Sequence, residues 1–575
     1  MPRQARGNAT QPPLSSISSF TFTFASFITA TIPKSNMDSL SREILDLIVF
    51  HIAGYDPPFP PLRREPLPQL SCYAAISKKW QQAVERYTFY TISTDSASFD
   101  MLRYVTRTIP RRRHVNELFY RIELPRFSVE RAQHREGREE HEANLTAFQE
   151  SLTRLWNELA TWQEPHMSPR GVLLNVTANA LNYFDVSVDS DYQNRWDLPA
   201  HSLTLPSDKE PSLPTINCVT SLKVGEPLTR RIYPSAIEQM LHSLPNLRHL
   251  NIRLDSVPLK NRSMWREMRN ALARALDAPP LRFLESLEIN EFQRLIPCNH
   301  SYDLADNDPD YPNGDHLCQA MRKLAQTSLR KLIFHGRISP TLWAVDREDA
   351  NQQQISFPFL KEVRVLFYMF TYDGRWYYTG NRGAEAAAQV DMDRIAREAD
   401  TDPRYDYDSD SSFNFPPRET RRESFLNGNR PHRPWRKRPD TEMFNPLMRA
   451  LVSATLRMPS LQILDVKTDN YDHYHIQVAV EYLEPGVQAQ YIPPDQQTGV
   501  QLAKRRWTVT HQRKTSWDLP DDIRAMMQER AGEDGIIIEA EMWKKYDDDS
   551  LTDEDDVREE SPDDLDGPLD WQWEL

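Results

Sequence analysis

Leu247-Arg248-His249-Leu250-Asn251-Ile252 carries the pattern that decides the fold: two apolar residues that alternate with a variable one, and a third apolar residue three positions earlier. Alternation with a period of two places the last two apolar side chains on one face of a β-strand. The first apolar residue turns inward from the loop that approaches the strand. The clear copies are Val219-Leu222-Val224, Leu247-Leu250-Ile252, Leu284-Leu287-Ile289, Leu329-Leu332-Phe334, Leu360-Val363-Val365 and Leu461-Leu464-Val466, and two weaker ones are Val115-Leu118-Tyr120 and Gly171-Leu174-Val176.

Helical segments precede several of these strands. Pro245, Pro279 and Pro459 follow three of them and end each helix before its strand. Because one strand and one helix cannot bury their own apolar faces, such units must stack on their neighbours to build a continuous core. Apolar residues at three- and four-residue spacing predict helices over Ala236–Leu244, Met264–Leu276, Leu317–Ala325 and Leu447–Met458.

The strand pattern is that of a leucine-rich repeat, and it predicts an α/β fold built as an irregular solenoid. The central leucines Leu222, Leu250, Leu287 and Leu332 are 28, 37 and 45 residues apart, which is longer and less regular than leucine-rich arrays in general. The alternative is a non-repetitive α/β domain whose buried strands share a leucine-rich form.

A short helical pattern lies before the strands. Leu40, Ile44, Leu47 and Ile48 recur at the spacing of one helix face, and Ser39 or Ser41 can cap the start of this helix. After Gly54 and a proline-rich stretch, residues 74–84 predict one or two further amphipathic helices. Helices this short cannot bury much apolar surface, so the rest of the chain or another protein must cover them.

The stretch Leu40-Ser41-Arg42-Glu43-Ile44-Leu45-Asp46-Leu47-Ile48, together with Leu70-Ser71-Cys72-Tyr73-Ala74-Ala75-Ile76-Ser77-Lys78-Lys79-Trp80, resembles an F-box. The resemblance implies docking onto the Skp-type adaptor of a cullin-based ubiquitin ligase. An F-box followed by leucine-rich strands implies a subunit that recruits a protein substrate, and the architecture is similar to F-box-like proteins of filamentous fungi. The adaptor-facing residues that the resemblance implies are Leu40, Ile44, Leu47, Ile48, Leu70, Ile76 and Trp80.

A scaffold that never joins a ligase is the second hypothesis. Ser41 stands where the family usually has proline, and the connection from Gly54 to Gln69 contains six prolines. In this alternative the F-box-like helices pack internally against the first strand copy.

The strongest amphipathic helix of the sequence runs from Leu145 to Trp162. Its aromatic and leucine side chains recur at helical spacing, which predicts that they face the core. An exposed Trp156 or Trp162 would instead indicate a partner surface.

Charge and cysteine content limit the classes of partner. With 69 basic and 83 acidic side chains, the chain lacks the basic balance of a general nucleic-acid binder. Four widely spaced cysteines without a C-x-x-C pair indicate neither a zinc site nor a disulfide framework, which fits the cytosol or the nucleus. The stretch Phe20–Ile32 is too short and too rich in Ser and Thr to span a bilayer, and we expect no membrane partner. Residues 1–36, basic and free of acidic side chains, also match a mitochondrial transit peptide, and Met37 is an alternative start.

Motifs of catalysis are absent from the sequence. It contains no glycine-rich phosphate loop, no G-x-S-x-G and no H-E-x-x-H. The acidic loop Asp303–Asp315 departs from the calcium-loop pattern, and His473 with His475 has no further ligand nearby. We therefore expect a protein that is not an enzyme and holds no cofactor or metal.

The basic run Arg430–Pro439 has three interpretations: a solvated linker, a nuclear import signal or a patch for an anionic partner.

The sequence divides into six segments. The segments are a disordered leader (1–36), the F-box-like module (37–90), the leucine-rich-repeat-like region (91–379), a charged disordered insertion (380–440), the last repeat with a C-terminal cap (441–545) and an acidic disordered tail (546–575).

Overall fold

A computed structural model describes most of the chain, with gaps. The described residues fall into two compact units, one within Met1–Thr94, Ser98–Phe119 and Glu164–Val172, and the other within Asp95–Ala97, Tyr120–Gln163 and Leu173–Leu575. The described residues are 40–52, 70–127, 136–162, 170–180, 202–206, 213–226, 229–255, 262–292, 314–344, 356–380, 436–469, 478–511 and 517–542.

Twelve α-helices and fourteen strands lie within these ranges. The helices are α1 (Arg42–Ile52), α2 (Leu70–Ala74), α3 (Lys78–Thr88), α4 (Phe99–Val105), α5 (Ile109–His114), α6 (Arg138–Ala160), α7 (Pro234–His242), α8 (Arg262–Leu276), α9 (His316–Ala325), α10 (Phe444–Thr455), α11 (Gly499–Leu502) and α12 (Asp521–Ala531). The strands are β1 (Thr91–Asp95), β2 (Glu117–Leu124), β3 (Val172–Ala180), β4 (Val219–Val224), β5 (His249–Asp255), β6 (Ser286–Phe292), β7 (Lys331–Gly336), β8 (Glu362–Tyr368), β9 (Tyr378–Gly380), β10 (Arg436–Pro439), β11 (Ile463–Asp469), β12 (Val478–Leu483), β13 (Arg506–His511) and β14 (Ile536–Glu541).

Twelve of the described strands form one mixed, mostly parallel sheet. Its order follows the chain, β1-β2-β3-β4-β5-β6-β7-β8-β11-β12-β13-β14. The pairs from β4 to β8 and the pair β8–β11 are parallel, whereas β12 is antiparallel to both of its neighbours. The α/β class predicted from the sequence is therefore confirmed.

The repeated strand pattern lies in register across this sheet. The central apolar residues Leu222, Leu250, Leu287, Leu332, Val363 and Leu464 are successive Cα partners. The last apolar residues form the next row, Val224, Ile252, Ile289, Phe334, Val365 and Val466. All twelve are buried, because one position of the pattern always meets the same position of the next copy.

The helices between the strands pack in succession. Helix α7 contacts α8, and α8 contacts α9. Asp315 caps α9 by accepting a hydrogen bond from the Cys318 amide. The four helices predicted beside the strands are present, within a few residues of the expected bounds.

Helix α6 carries the predicted amphipathic pattern into the core. Trp156 and Trp162 are fully buried. The Trp156 indole nitrogen donates to Ser243 Oγ (2.7 Å), and the Trp162 indole nitrogen donates to Glu158 Oε1 (3.1 Å). These tryptophans thus pack in the core and are not part of an exposed partner surface.

One predicted boundary differs from the structure. The insertion predicted over 380–440 ends earlier, since Arg436–Pro439 forms a strand that pairs antiparallel with Tyr378–Gly380. Backbone pairing with β9 orders the end of a basic run whose composition alone indicated disorder.

Several predicted features fall outside the described residues. They are the leader 1–36, the proline-rich connection, most of Asp303–Asp315 and of the insertion, His473 with His475, and the acidic tail. Among the described helices, none combines the length and the apolar content needed to cross a membrane. In the same ranges no cluster of three or more His, Cys, Asp or Glu side chains is arranged to hold a metal ion.

Candidate partner-binding faces

The three helices α1, α2 and α3 enclose a small core of their own. Its buried side chains are Leu45, Val49, Leu70, Trp80, Ala83 and Val84. The ring of Tyr73 stacks on that of Trp80, with centroids 6.0 Å apart and planes inclined by 23°. This core buries one face of α1 and the inner face of α3, as short amphipathic helices require.

Serine residues set the beginnings of α1 and α3. Ser41 Oγ accepts a hydrogen bond from the Ile44 amide (3.4 Å), so Ser41, the second of the two predicted candidates, caps α1. Ser77 Oγ accepts from the Trp80 amide (3.4 Å) at the start of α3. Backbone and Ser41 hydrogen bonds lower the pKa of Glu43, which keeps a carboxylate in the first turn of α1, where the helix dipole favours it.

Polar contacts hold α1 against α3 and α3 against α5. Arg86 of α3 forms an ion pair with Asp46 of α1, and the Tyr87 hydroxyl donates to the Asp46 carbonyl (3.2 Å). Arg111 of α5 donates two hydrogen bonds to Glu85 (3.0 and 2.7 Å). The position of α1 is therefore fixed by its inner face and by these contacts.

The seven residues implied by the F-box resemblance occupy three environments. Leu70 and Trp80 are buried in the core of the module. Leu40, Ile48 and Ile76 are half-buried and pack against that core. Ile44 and Leu47 are exposed, with 45% and 55% of their surface accessible.

Helix α1 is consequently apolar on two faces. Leu45 and Val49 are buried in the module core, whereas Ile44 and Leu47 are exposed on the other side of the helix. The sequence reasoning missed Leu45 and Val49 as core residues, although their four-residue spacing is the signal for a second apolar stripe. Covering the exposed halves of Ile44 and Leu47 is worth about 2 kcal/mol in total, from the usual 1.5–3 kcal/mol for a whole side chain.

The second unit has an open sheet face on strands β5 to β8. Residues between the buried apolar positions are half-buried or exposed there, for example Asn251, Glu288, Ile333 and Arg364, which are consecutive register partners. We call the outward-facing alternate residues of β5–β8, with the residue that precedes each strand, the open face.

The row of register partners that ends here with Arg364 continues onto β11 and β12, where its residues are covered. Asp465 and Glu481 are register partners, and both are buried. Glu481 accepts from the Thr508 hydroxyl (2.7 Å) and from the Gln490 amide (3.0 Å). The Tyr491 hydroxyl donates to Asp465 (3.2 Å). Residues 484–497, which we call the cap loop, thereby lie over this face of β11 and β12, next to β13.

Burial changes the acidity of these carboxyl groups. It raises the pKa of Glu481 to about 7 and also raises the pKa of Asp465, against the opposing attraction of Lys467. Converging carboxyl groups with raised pKa values also occur in active sites. Here each accepts hydrogen bonds from Thr508 or from the cap loop itself, so the arrangement fixes the loop to the sheet.

A second buried polar cluster lies at the carboxyl ends of β6 and β7. Arg269 of α8 donates to Asp315 (2.8 and 3.1 Å), to Glu291 (2.7 Å) and to the Arg337 carbonyl (2.8 Å). Burial alone would lower the pKa of Arg269, but Asp315 and Glu291 raise it above its usual value. Burial lowers the pKa of Arg337, which lies over the ring of Phe370, to about 10. This cluster joins α8, α9, β6 and β7.

Comparison with models of protein families finds no match, and comparison with curated proteins finds no significant similarity.

Proposed function

We propose that this protein is the substrate-recognition subunit of a cullin-based ubiquitin ligase of the SCF type. Helices α1–α3 bind the Skp-type adaptor, and the leucine-rich-repeat-like strands form a solenoid that presents a protein substrate. Catalysis is then performed by other subunits. The observation that carries this proposal is the second apolar face of α1, where Ile44 and Leu47 remain half-exposed on a helix whose other face is already packed.

The interface that this proposal implies is smaller than the set of seven residues. Ile44 and Leu47 contact the adaptor directly, and the half-buried Leu40, Ile48 and Ile76 surround them. Leu70 and Trp80 act indirectly, since their burial fixes the angle between α1 and α3. Two half-exposed side chains supply about 2 kcal/mol, so further contacts are required for a stable complex.

The substrate side of the proposal rests on the open face. Buried apolar rows give strands β5–β8 a fixed spacing, and the residues between these rows are free to differ in charge and size. Such a surface suits recognition of a polypeptide segment, because successive strands lie about 4.8 Å apart and present side chains in rows.

A pull-down of the full chain with the purified Skp-type adaptor tests the proposal. The variant Ile44→Glu, Leu47→Glu places charges on the exposed face of α1 and should abolish saturable binding. Phe283→Glu, at an equally exposed apolar side chain of the second unit, is the matched control and should bind as wild type does. Circular dichroism checks that all three proteins are folded. Absence of binding by folded wild type would overturn the proposal.

The alternative function is a protein-interaction scaffold outside any ligase. The burial of Leu70 and Trp80 by residues of the same module favours it, since those side chains need no partner. The scaffold would be supported by a wild-type chain that does not bind the adaptor, but in which the backbone amides of Ile44 and Leu47 in α1 are protected from hydrogen–deuterium exchange.

A further inference from the structure

We propose that the acidic C-terminal segment of this chain, residues 546–575, occupies the open face of strands β5–β8. The inference extends the proposed function, on which it rests in one respect: the face concerned is the one assigned to the substrate. The contact itself requires no adaptor and no ligase.

The open face is basic in an otherwise acidic protein. Its positions carry six cationic residues and four acidic ones, Asp255, Glu285, Glu288 and Glu362, whereas the whole chain has more acidic than basic residues. Four ion pairs join the two sets: Arg248 and Arg330 with Glu285 (3.3 and 3.7 Å), and Lys331 and Arg364 with Glu362 (3.4 and 2.7 Å). The cations are Arg248, Arg253, Arg330, Lys331, Lys361 and Arg364.

Positive charge is concentrated on β7 and β8. Lys331 and Arg364 pair with Glu362, Arg330 pairs with Glu285, and Lys361 precedes β8. The Arg330 and Arg364 side chains are 57% and 45% exposed, so their guanidinium groups remain accessible to another anionic group. Exposed pairs are worth only about 0.2–1 kcal/mol each, so a partner must offer several carboxylates at once.

The C-terminal segment supplies this charge. Residues 546–575 contain 14 Asp and Glu side chains and one arginine, which gives a net charge of −13 out of −14 for the entire chain. The partly exposed Ile333 and Leu366 on the open face also match the apolar residues of the segment, which include Trp571 and Trp573.

The position of β14 brings the segment within reach. Four strand spacings separate β14 from β8 in the sheet, about 19 Å at 4.8 Å each. The chain leaves the described region at Met542, and the cluster Asp547–Asp549 follows within seven residues, or about 23 Å of extended chain. Attachment to the same chain also gives an effective concentration of the order of millimolar, which makes weak individual pairs sufficient. This is why we assign the face to this segment and not to a separate acidic protein.

A substrate must then displace the segment. Because the occupant is acidic, the substrate class that competes most directly is a protein segment rich in Asp, Glu or phosphorylated residues. The receptor is therefore self-occupied in the absence of substrate.

Carbodiimide cross-linking of the full chain at low protein concentration tests this inference. The reagent joins a lysine amine directly to a carboxylate, and peptide mass spectrometry identifies the pairs. We expect cross-links from Lys331 and Lys361 to residues 546–575, at least about fivefold more frequent at 0.05 M than at 1 M salt, where screening is strong. Lys323 of α9 and Lys504, two lysines away from the open face, are internal controls.

Charge-reversal variants supply the matched comparison. Arg330→Glu, Arg364→Glu leaves both reporter lysines in place and should reduce their cross-links at least about fivefold. Arg449→Glu, Arg505→Glu changes two arginines of similar exposure elsewhere in the second unit and should leave them unchanged.

Three results would overturn the inference. One is a cross-link frequency at Lys331 and Lys361 no higher than at Lys323 and Lys504. Another is a yield that rises with protein concentration, which would indicate contact between two copies. The third is an equal yield in the two charge-reversal variants. None of these involves the adaptor, so the pull-down with α1 variants can fail or succeed independently.

Discussion

The helical module and the parallel strands use apolar residues in opposite ways. In the strands every residue of the repeated pattern is buried, from Leu222 on β4 to Leu464 on β11. In the module the implied adaptor set is divided between the core, where Leu70 and Trp80 lie, and the surface, where Ile44 and Leu47 lie. Register imposes one environment on equivalent strand positions, whereas a short helix has apolar residues on more faces than its neighbours can cover.

This difference separates residues that hold the fold from residues available to partners. Substitutions inside the strand region should mainly change stability, and substitutions on the outer face of α1 should mainly change binding.

The largest effect is expected from Arg269→Met. The substitution removes a buried guanidinium and leaves Asp315 and Glu291 without their cation, a loss of about 3–5 kcal/mol in the free energy of unfolding. Urea denaturation followed by tryptophan fluorescence measures it.

Arg330→Met is the control for this prediction. Its side chain is 57% exposed and 3.7 Å from Glu285, so the expected loss is below about 1 kcal/mol. Equal losses in the two variants would mean that the buried cluster does not join the repeats as the hydrogen bonds indicate.

A pH-dependent effect of intermediate size is expected from Glu481→Gln. The pKa of Glu481 is about 7 in the folded protein, against 4.5 for an ordinary glutamate, so the folded state holds its proton more tightly. The stability that this proton contributes is present below pH 4.5 and is lost as the pH rises to about 7. Glutamine cannot ionise, so the variant should gain about 3 kcal/mol relative to wild type between these pH values.

Urea denaturation at pH 4.5, 6 and 8 measures this gain. Glu288→Gln, in the same row of the sheet on the open face, is the control and should change stability by less than about 0.5 kcal/mol at pH 8. A Glu481→Gln variant that is no more stable than wild type at pH 8 would contradict the prediction.

The sequence predicted the strands well because their pattern is fixed by pairing. The central and last apolar residues of all eight copies lie on strands, and the predicted central leucines are register partners. The buried Arg269 cluster and the pair Asp465 with Glu481 could not be predicted, because their partners come from distant segments such as Asp315 and the cap loop. Spacing along one chain does not reveal which polar residues such segments cover.

The second apolar face of α1 was not predicted, for a related reason. Helical spacing identified an apolar face on α1 that includes Ile44 and Leu47. It did not identify the second face, Leu45 and Val49, that the module itself buries. A helix has no strand register to fix its orientation. The face of α1 that is buried is therefore decided by its packing against α3.

The smallest effect on stability is therefore expected from Leu47→Ala, next to its buried neighbour Leu45. Leu47 is 55% exposed, so its truncation should change the stability of the module by less than about 0.5 kcal/mol, whereas Leu45→Ala should cost about 2–4 kcal/mol through a cavity beside Trp80 and Val84. Hydrogen–deuterium exchange of peptides covering α1 and α3 measures both variants locally. If Leu47→Ala loosened the module as much as Leu45→Ala, the outer face of α1 would be packed by this chain in solution. The scaffold would then explain the module better than adaptor binding, because no apolar face of α1 would remain for a partner.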